Sequence, residues 1–309
     1  LRTKSVDKVA KGGRVQKLLI LGTFGLIAQL VDGTLGMAYG VTTTTLLLTV
    51  GAAPAIASAT VHLAEVGTTL ASGTAHWHFG NVDWRTVGLM AAPGATGAFI
   101  GAIVLSSLSA EIAEPWIAAI LFFLGLYILV RFSRRRQTPK PKPGHGRLRA
   151  VFLAPLGAFA GLIDAMGGGG WGPIGTSSLL SSGRLEPRKV VGSIDTSEFL
   201  VTVGASAGFL ISLSFVQINV GWLLALLVGG LIAAPIAAWL VRKLPARILG
   251  AAIGGLILVT NTKTFGEAVG APSGVLVAAY VVFISIWLAA IASAVVAVRR
   301  DVRAVPQPA

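Results

Sequence analysis

Five acidic residues, Asp32, Glu65, Asp164, Asp195 and Glu198, lie in or beside long apolar stretches of the chain. An ionised group in such a setting is costly unless it faces protein or water. His62 precedes Glu65 by one helical turn, and Asp195 precedes Glu198 by the same spacing. On a helix each pair therefore occupies one face. Carboxylates and an imidazole held this way can take up and release a proton, or ligate a cation. The alternative is structural, with the groups bridging helices or capping helix ends. Asp32 and Asp164, just before glycine-rich runs, suit turns or caps better. Glu65 and Glu198 fall in mid-helix, where a role in proton coupling with His62 and Asp195 is the sharper reading.

Two glycine runs, Gly33–Gly40 (GTLGMAYG) and Gly167–Gly170 (GGGG), interrupt apolar stretches of more than thirty residues. Glycine is a poor helix former and lets another group approach the backbone closely. A helix broken within the bilayer presents N–H groups and a positive dipole end, which can hold an anion without a buried cation. Gly36, Tyr39, Gly40, Thr42 and Thr44 in the first run, and Gly168, Gly170, Trp171, Gly172, Thr176 and Ser177 in the second, are the candidate substrate-binding residues. Each also has a plain explanation: close helix packing for the glycines, hydroxyl bonds to the local backbone for Thr and Ser, ordinary packing for Tyr39 and Trp171. His76 and His78 flank Trp77 in an expected loop, without a third ligand nearby, so an interfacial segment fits better than a metal site.

The elements that position these groups follow from composition. The 309 residues are 54% hydrophobic and 12% charged, with mean hydropathy +0.80. A soluble domain carries about a quarter charged residues. A formal charge of +13 could suggest nucleic acid, but no Lys or Arg lies inside an apolar stretch. Basic residues confined to termini and loops are the pattern of a membrane protein. There is no cysteine, and HExxH, GxSxG, GxGxxG and GxxxxGK[ST] are absent. No cofactor and no enzymatic activity are implied.

Apolar stretches run over 18–50, 52–73, 87–108, 116–130, 151–182, 190–213, 220–241, 248–260 and 274–298. The expected fold is therefore all-α, a polytopic transmembrane helical protein. The basic start and the apolar run behind it resemble a signal peptide, but that run recurs later in the chain and so belongs to the fold. The sequence opens without Met and reads as trimmed or processed.

The recurrence is specific. Asp32 aligns with Asp164, Gly36 with Gly168, Tyr39 with Trp171, Gly40 with Gly172 and Thr44 with Thr176. After one inserted residue, Pro54 aligns with Pro187, His62 with Asp195 and Glu65 with Glu198. The resulting division is a basic N-terminal segment (1–17), a first membrane repeat (18–132), a basic cytoplasmic linker (133–149), a second repeat (150–262), a loop and final transmembrane helix (263–298) and a basic tail (299–309). The pieces Leu18–Val31, Val151–Asp164, Val41–Val50 and Gly172–Ser182 look too short to cross alone, so each repeat should open with a re-entrant helix pair. The repeats are then inverted, and the linker, Arg85, the 184–189 and 242–247 loops and the C-terminus face the cytoplasm. A single crossing by each broken segment would instead make them parallel, and the distribution of Lys and Arg favours inversion only by a small margin.

With its doubled glycine element (Asp32–Gly40 then Pro54; Asp164–Pro173 then Pro187), two-half organisation and basic central linker, the chain resembles the TauE/SafE family of sulfite exporters, also called the 4-toluenesulfonate uptake permease family. The resemblance implies a secondary carrier in the bacterial inner membrane for small sulfur-containing anions such as sulfite or an organosulfonate, coupled to protons. Val41 stands where Pro173 stands in the second half, so the two half-sites need not contact substrate equally. The expected partners are a small anionic substrate and membrane lipids, with no nucleic acid and with homo-oligomerisation open. Two other functions compete: a cation or metal-ion permease using the intramembrane carboxylates and His, and a non-transporting membrane scaffold.

Overall fold

A computed structural model of the chain describes residues 2–133, 148–182, 184–213, 217–240 and 246–303. Among them are eleven helices and no strand. They are α1 (Arg2–Leu35), α2 (Tyr39–Thr49), α3 (Pro54–His78), α4 (Trp84–Ser107), α5 (Ala110–Ser133), α6 (Ala150–Gly167), α7 (Trp171–Ser182), α8 (Pro187–Ser212), α9 (Val220–Leu240), α10 (Ala246–Ala268) and α11 (Ser273–Arg303). Seven are long and apolar enough to cross a membrane, namely the 15–35 part of α1, α4, α5, α6, α8, α9 and most of α11. Helix α3 has the length, at 25 residues, but carries a buried polar face. The linker residues 134–147 and the tail beyond 303 lie outside the described residues.

Local chemistry fixes several helix starts. Pro54 and Pro187 open α3 and α8, where their fixed φ suits the first turn and no N–H is missed. Asp83 caps α4, accepting from the Thr86 backbone N–H and hydroxyl at 2.8 Å each. Prolines inside α4, α5, α6 and α9 are tolerated as they are in membrane helices generally.

Small residues set the packing. In a bilayer, helices gain little from apolar burial alone, and close backbone approach supplies the dispersion energy. Gly157 lies on Met90, Gly161 on Gly94, Gly97 on Ala158 and Gly101 on Ala165, so α4 and α6 run parallel. Gly22 lies on Ala225 and Gly33 on Ala237, so α1 and α9 run parallel. Gly94 lies near Val201 and Gly208 on Phe99, so α4 and α8 do too. The pair α3 and α8 is antiparallel: Gly73 meets Thr196, whereas His62 meets Phe209. The pair α5 and α10 is also antiparallel, with Phe132 on Gly250 and Gly125 on Leu258.

Helix α1 runs against α8, since Asp32 approaches Asp195 and Gly36 approaches Val191. Helices α1 and α3 therefore point the same way, and α2 has to return between them. It starts with Gly40 beside Glu65, near the middle of α3, and ends next to the start of α3. Helices α6 and α8 likewise share a direction, and α7 returns between them.

Four helix ends differ from the sequence-based expectation. Helices α1 and α6 continue one turn past Asp32 and Asp164, to Leu35 and Gly167, so the apolar parts of these helices are long enough to cross. The extra turn lets each aspartate reach across the break instead of ending its helix. Helix α10 extends through Ala268, so residues 263–268 are helical rather than loop. His76 and His78 stand in the last turn of α3, not in a loop, and His76 is fully buried.

A β-carbon on Gly161 would overlap the carbonyl of Gly94, whereas one on Gly88 would meet nothing within 4 Å. Gly161→Val should destabilise the detergent-solubilised protein by at least about 1–3 kcal/mol. Gly88→Ala should be neutral or gain up to about 1 kcal/mol from helix propensity. Thermal unfolding followed by tryptophan fluorescence checks both.

Candidate functional site

The chain leaves helical geometry twice, between α1 and α2 and between α6 and α7. Gly36 and Gly168 both adopt φ +67°, and Ala38 is the one described non-glycine residue with positive φ, at 108°. The two breaks face each other. Gly40 lies on the backbone of Gly168 and Gly169, and Gly172 on Gly36 and Met37, with no room for a β-carbon at either contact. The Thr44 hydroxyl donates to the Gly168 carbonyl at 2.9 Å, and the Thr176 hydroxyl donates to the Gly36 carbonyl at 2.5 Å. Each break is thus tied to the other by a reciprocal bond that satisfies a carbonyl freed by the loss of helix.

The aspartates close the breaks. Asp164 Oδ1 accepts from the backbone N–H of Gly170 at 2.6 Å and of Trp171 at 2.9 Å. Asp32 Oδ1 accepts from the Tyr39 N–H at 3.3 Å. Both cap the short helix that follows, and a negative charge suits that dipole end. The N–H groups of Tyr39, Gly170 and Trp171 are therefore already engaged. The two aromatic side chains are anchored as well, Tyr39 Oη donating to the Leu226 carbonyl and Trp171 Nε1 to the Ile194 carbonyl, each at 3.1 Å.

His62 sits between two acceptors. Its Nδ1 lies 2.8 Å from the Ser58 carbonyl and its Nε2 3.1 Å from Asp164 Oδ2. A carbonyl only accepts, so Nδ1 carries a hydrogen. A proton must then lie between Nε2 and Asp164, as imidazolium and carboxylate or as neutral imidazole and acid. The Ser58 hydroxyl donates to the Ala165 carbonyl at 2.7 Å and holds α3 to the end of α6. Glu65, one turn along the same face, is buried with its carboxylate against Gly40.

A second cluster forms where α1, α3 and α8 meet. Carboxylate oxygens of Asp32, Asp195 and Glu198 lie within 4.8 Å of one another, and all three residues are buried. Ser72 donates to Asp195 Oδ2 in a short hydrogen bond, and His76 Nε2 lies 3.4 Å from the same oxygen. Asp195 Oδ1 and His76 Nε2 have no hydrogen-bond partner among the described residues. No Lys or Arg is buried among them either.

The structure thus brings Gly36, Gly40, Thr44, Gly168, Gly170, Gly172 and Thr176 into one joint, with Tyr39 and Trp171 packed beside it. The hydroxyls of Thr42 and Ser177 are buried and without partners among the described residues, and so are those of Thr68 and Ser206 and both polar atoms of Gln29. Such orphaned atoms are uncommon in protein interiors and mark places where water or a ligand can bond. Ser72 was not among the residues singled out from the sequence, and His76 was expected in an interfacial loop. The signal was present, since His62, Glu65, Thr69, Ser72 and His76 follow at alternating steps of three and four on one face of α3.

The family model of the sulfite exporter TauE/SafE matches residues 21–264. The chain is 49% identical over 277 residues to the "Probable membrane transporter protein YtnM" of Bacillus subtilis (strain 168), a match that covers 90% of this chain and 92% of that protein. No solved structure matches.

The two capping aspartates should respond differently to removal. Asp164 accepts two backbone bonds and pairs with His62, so Asp164→Ala breaks a buried pair and should cost about 3–5 kcal/mol. Asp32 accepts one long bond and crowds two other carboxylates, so Asp32→Ala should cost less than about 1 kcal/mol. Unfolding temperatures of the two variants in detergent give the comparison.

Proposed function

We propose a carrier function for this chain, which belongs to the sulfite exporter TauE/SafE family: it moves a small sulfur-containing anion, sulfite or an organosulfonate, across the membrane as a secondary-active transporter. The observation that carries this reading is the meeting of the two helix breaks, with unpartnered hydroxyls of Thr42 and Ser177 on the short helices beside them. An oxyanion there would find O–H donors and the positive dipole ends of α2 and α7 without a buried Lys or Arg. Thr44 and Thr176 hold the joint closed in this conformation, and opening it would release both hydroxyls.

The antiparallel crossing of α3 on α8 and of α5 on α10 supports two inverted repeats, each with a re-entrant pair (α1–α2 and α6–α7). Such a pair of repeats gives two equivalent conformations open to opposite sides, which is alternating access. We place the protein in the bacterial inner membrane, with the central linker and C-terminus cytoplasmic, on the placement of the basic residues. Glu65 and Glu198, with His62 and Asp195, carry the coupled proton. An anion bound beside a carboxylate favours its protonated form, which links the two events.

A cation permease is the second reading, and the cluster of Asp32, Asp195 and Glu198 is what favours it. Thermal unfolding against sulfite, sulfate, thiosulfate, an alkyl sulfonate, chloride and Mn²⁺, as choline or chloride salts, separates the two. A ligand bound only by the folded state raises the unfolding temperature with concentration. A rise with sulfite or a sulfonate supports the anion carrier, and a rise with the metal ion alone rejects it. In proteoliposomes, Glu65→Gln and Glu198→Gln should each flatten the pH dependence of anion uptake. An unchanged profile in both variants would remove them from coupling.

A further inference from the structure

The two repeats hold unequal charge at equivalent places. In one, Asp164 faces His62, and Glu65 stands one turn further along α3. In the other, the residue that aligns with His62 is Asp195, and it faces Asp32 with Glu198 one turn further along α8. Each place has one imidazole, His62 in the first and His76 in the second. The first has two carboxylates to that imidazole and the second has three. The carboxyls of Asp32 and Asp195 hydrogen-bond to each other, so a proton lies between them; once it leaves, three carboxylates face one imidazole in a buried position. Asp195 Oδ1 receives no N–H or hydroxyl from the described residues, so this oxygen is left short of a partner.

We propose that Asp32, Asp195 and Glu198 bind a sodium ion, with Ser72 and His76 beside it. The three carboxylates offer oxygen ligands within 4.8 Å of one another, a span one ion can bridge at the oxygen distances of hard cations. All three ligands are oxygens, which selects a hard cation over a soft one. A divalent ion held by three carboxylates in a dry interior would bind too tightly to leave in each cycle, whereas a monovalent ion can enter and exit. Asp32 also caps α2 at the break, so an ion on its carboxylate acts on the same element that the anion would meet. The site deepens the carrier function above by letting sodium take the place of the proton at Asp195 and Glu198, and it rests on that reading for its role and for the choice of a monovalent ion.

The test is thermal unfolding of the purified full chain in detergent, at one pH and constant ionic strength, with NaCl replacing choline chloride. Sodium should raise the unfolding temperature saturably, by roughly 5 °C, against the choline control. Glu198→Gln and Asp195→Asn should abolish the rise. Asp195→His, which repeats the His62 arrangement, should also abolish it and should itself fold, as judged by a monodisperse size-exclusion peak. No saturable rise with sodium in the folded wild-type protein overturns the proposal, as does a rise that survives in all three variants. A rise with Mg²⁺, Ca²⁺ or Mn²⁺ but not with sodium overturns it too. An anion-induced rise in choline without a sodium effect leaves the carrier function standing and removes this site. A sodium effect without any anion effect does the reverse.

Discussion

Two glycine breaks can lie face to face only where neither carries a β-carbon. Gly40 on Gly168 and Gly172 on Gly36 meet that condition twice, and the reciprocal threonine bonds then fix the register. Most of the interior depends on this contact. It sets where α2 and α7 begin, and hence which N–H groups Asp32 and Asp164 can reach. It also brings α1 against α8 and α6 against α3, which is what assembles the two polar clusters. A larger residue at either contact would separate the breaks and leave freed backbone groups unpaired at a depth where water is scarce, a cost of several kcal/mol.

Much of this was legible in the residues. Apolar runs of spanning length marked the helices, and glycine clusters inside two of them marked the breaks. Prolines 54 and 187 marked the starts of α3 and α8. The spacing of His62 to Glu65 and of Asp195 to Glu198 placed each pair on one face. Partners were not legible. His62 pairs with Asp164, 102 residues away, and Ser72 with Asp195, 123 residues away. Such pairings depend on how α3 crosses its neighbours, and no periodicity within one helix carries that information. The end of α3 was misplaced for a related reason. Glycine and aromatics near residue 77 suggest a loop, but burial of Ser72 and His76 against α8 keeps the helix going to His78.

The aspartates illustrate how one residue type at two equivalent positions acquires two roles. Asp164 is saturated, with two backbone donors on one oxygen and His62 on the other. Asp32 has one weak donor and two acidic neighbours. The capping function is common to both and follows from the local sequence. The difference comes from the facing helix, which presents an imidazole at one place and a carboxylate at the other. Electrostatics at these depths is set by such neighbours, because few mobile ions or waters reach them to screen the charge.

The packing also decides which bodies could move against each other. A rocking of residues 18–132 against 150–262 would strip α1 from α9 and α4 from α6, where glycines bring backbones into direct contact. Those seams are too close-packed to slide without loss. The bodies that keep their seams are mixed: α1 with α9 and α3 on one side, α4 with α6 and α8 on the other. Between them lie the antiparallel α3–α8 crossing, both polar clusters and the joined breaks. Motion of one mixed body against the other would bend that seam, along with the contacts that α5 makes with both bodies. The acidic clusters and the joined breaks are concentrated at that seam.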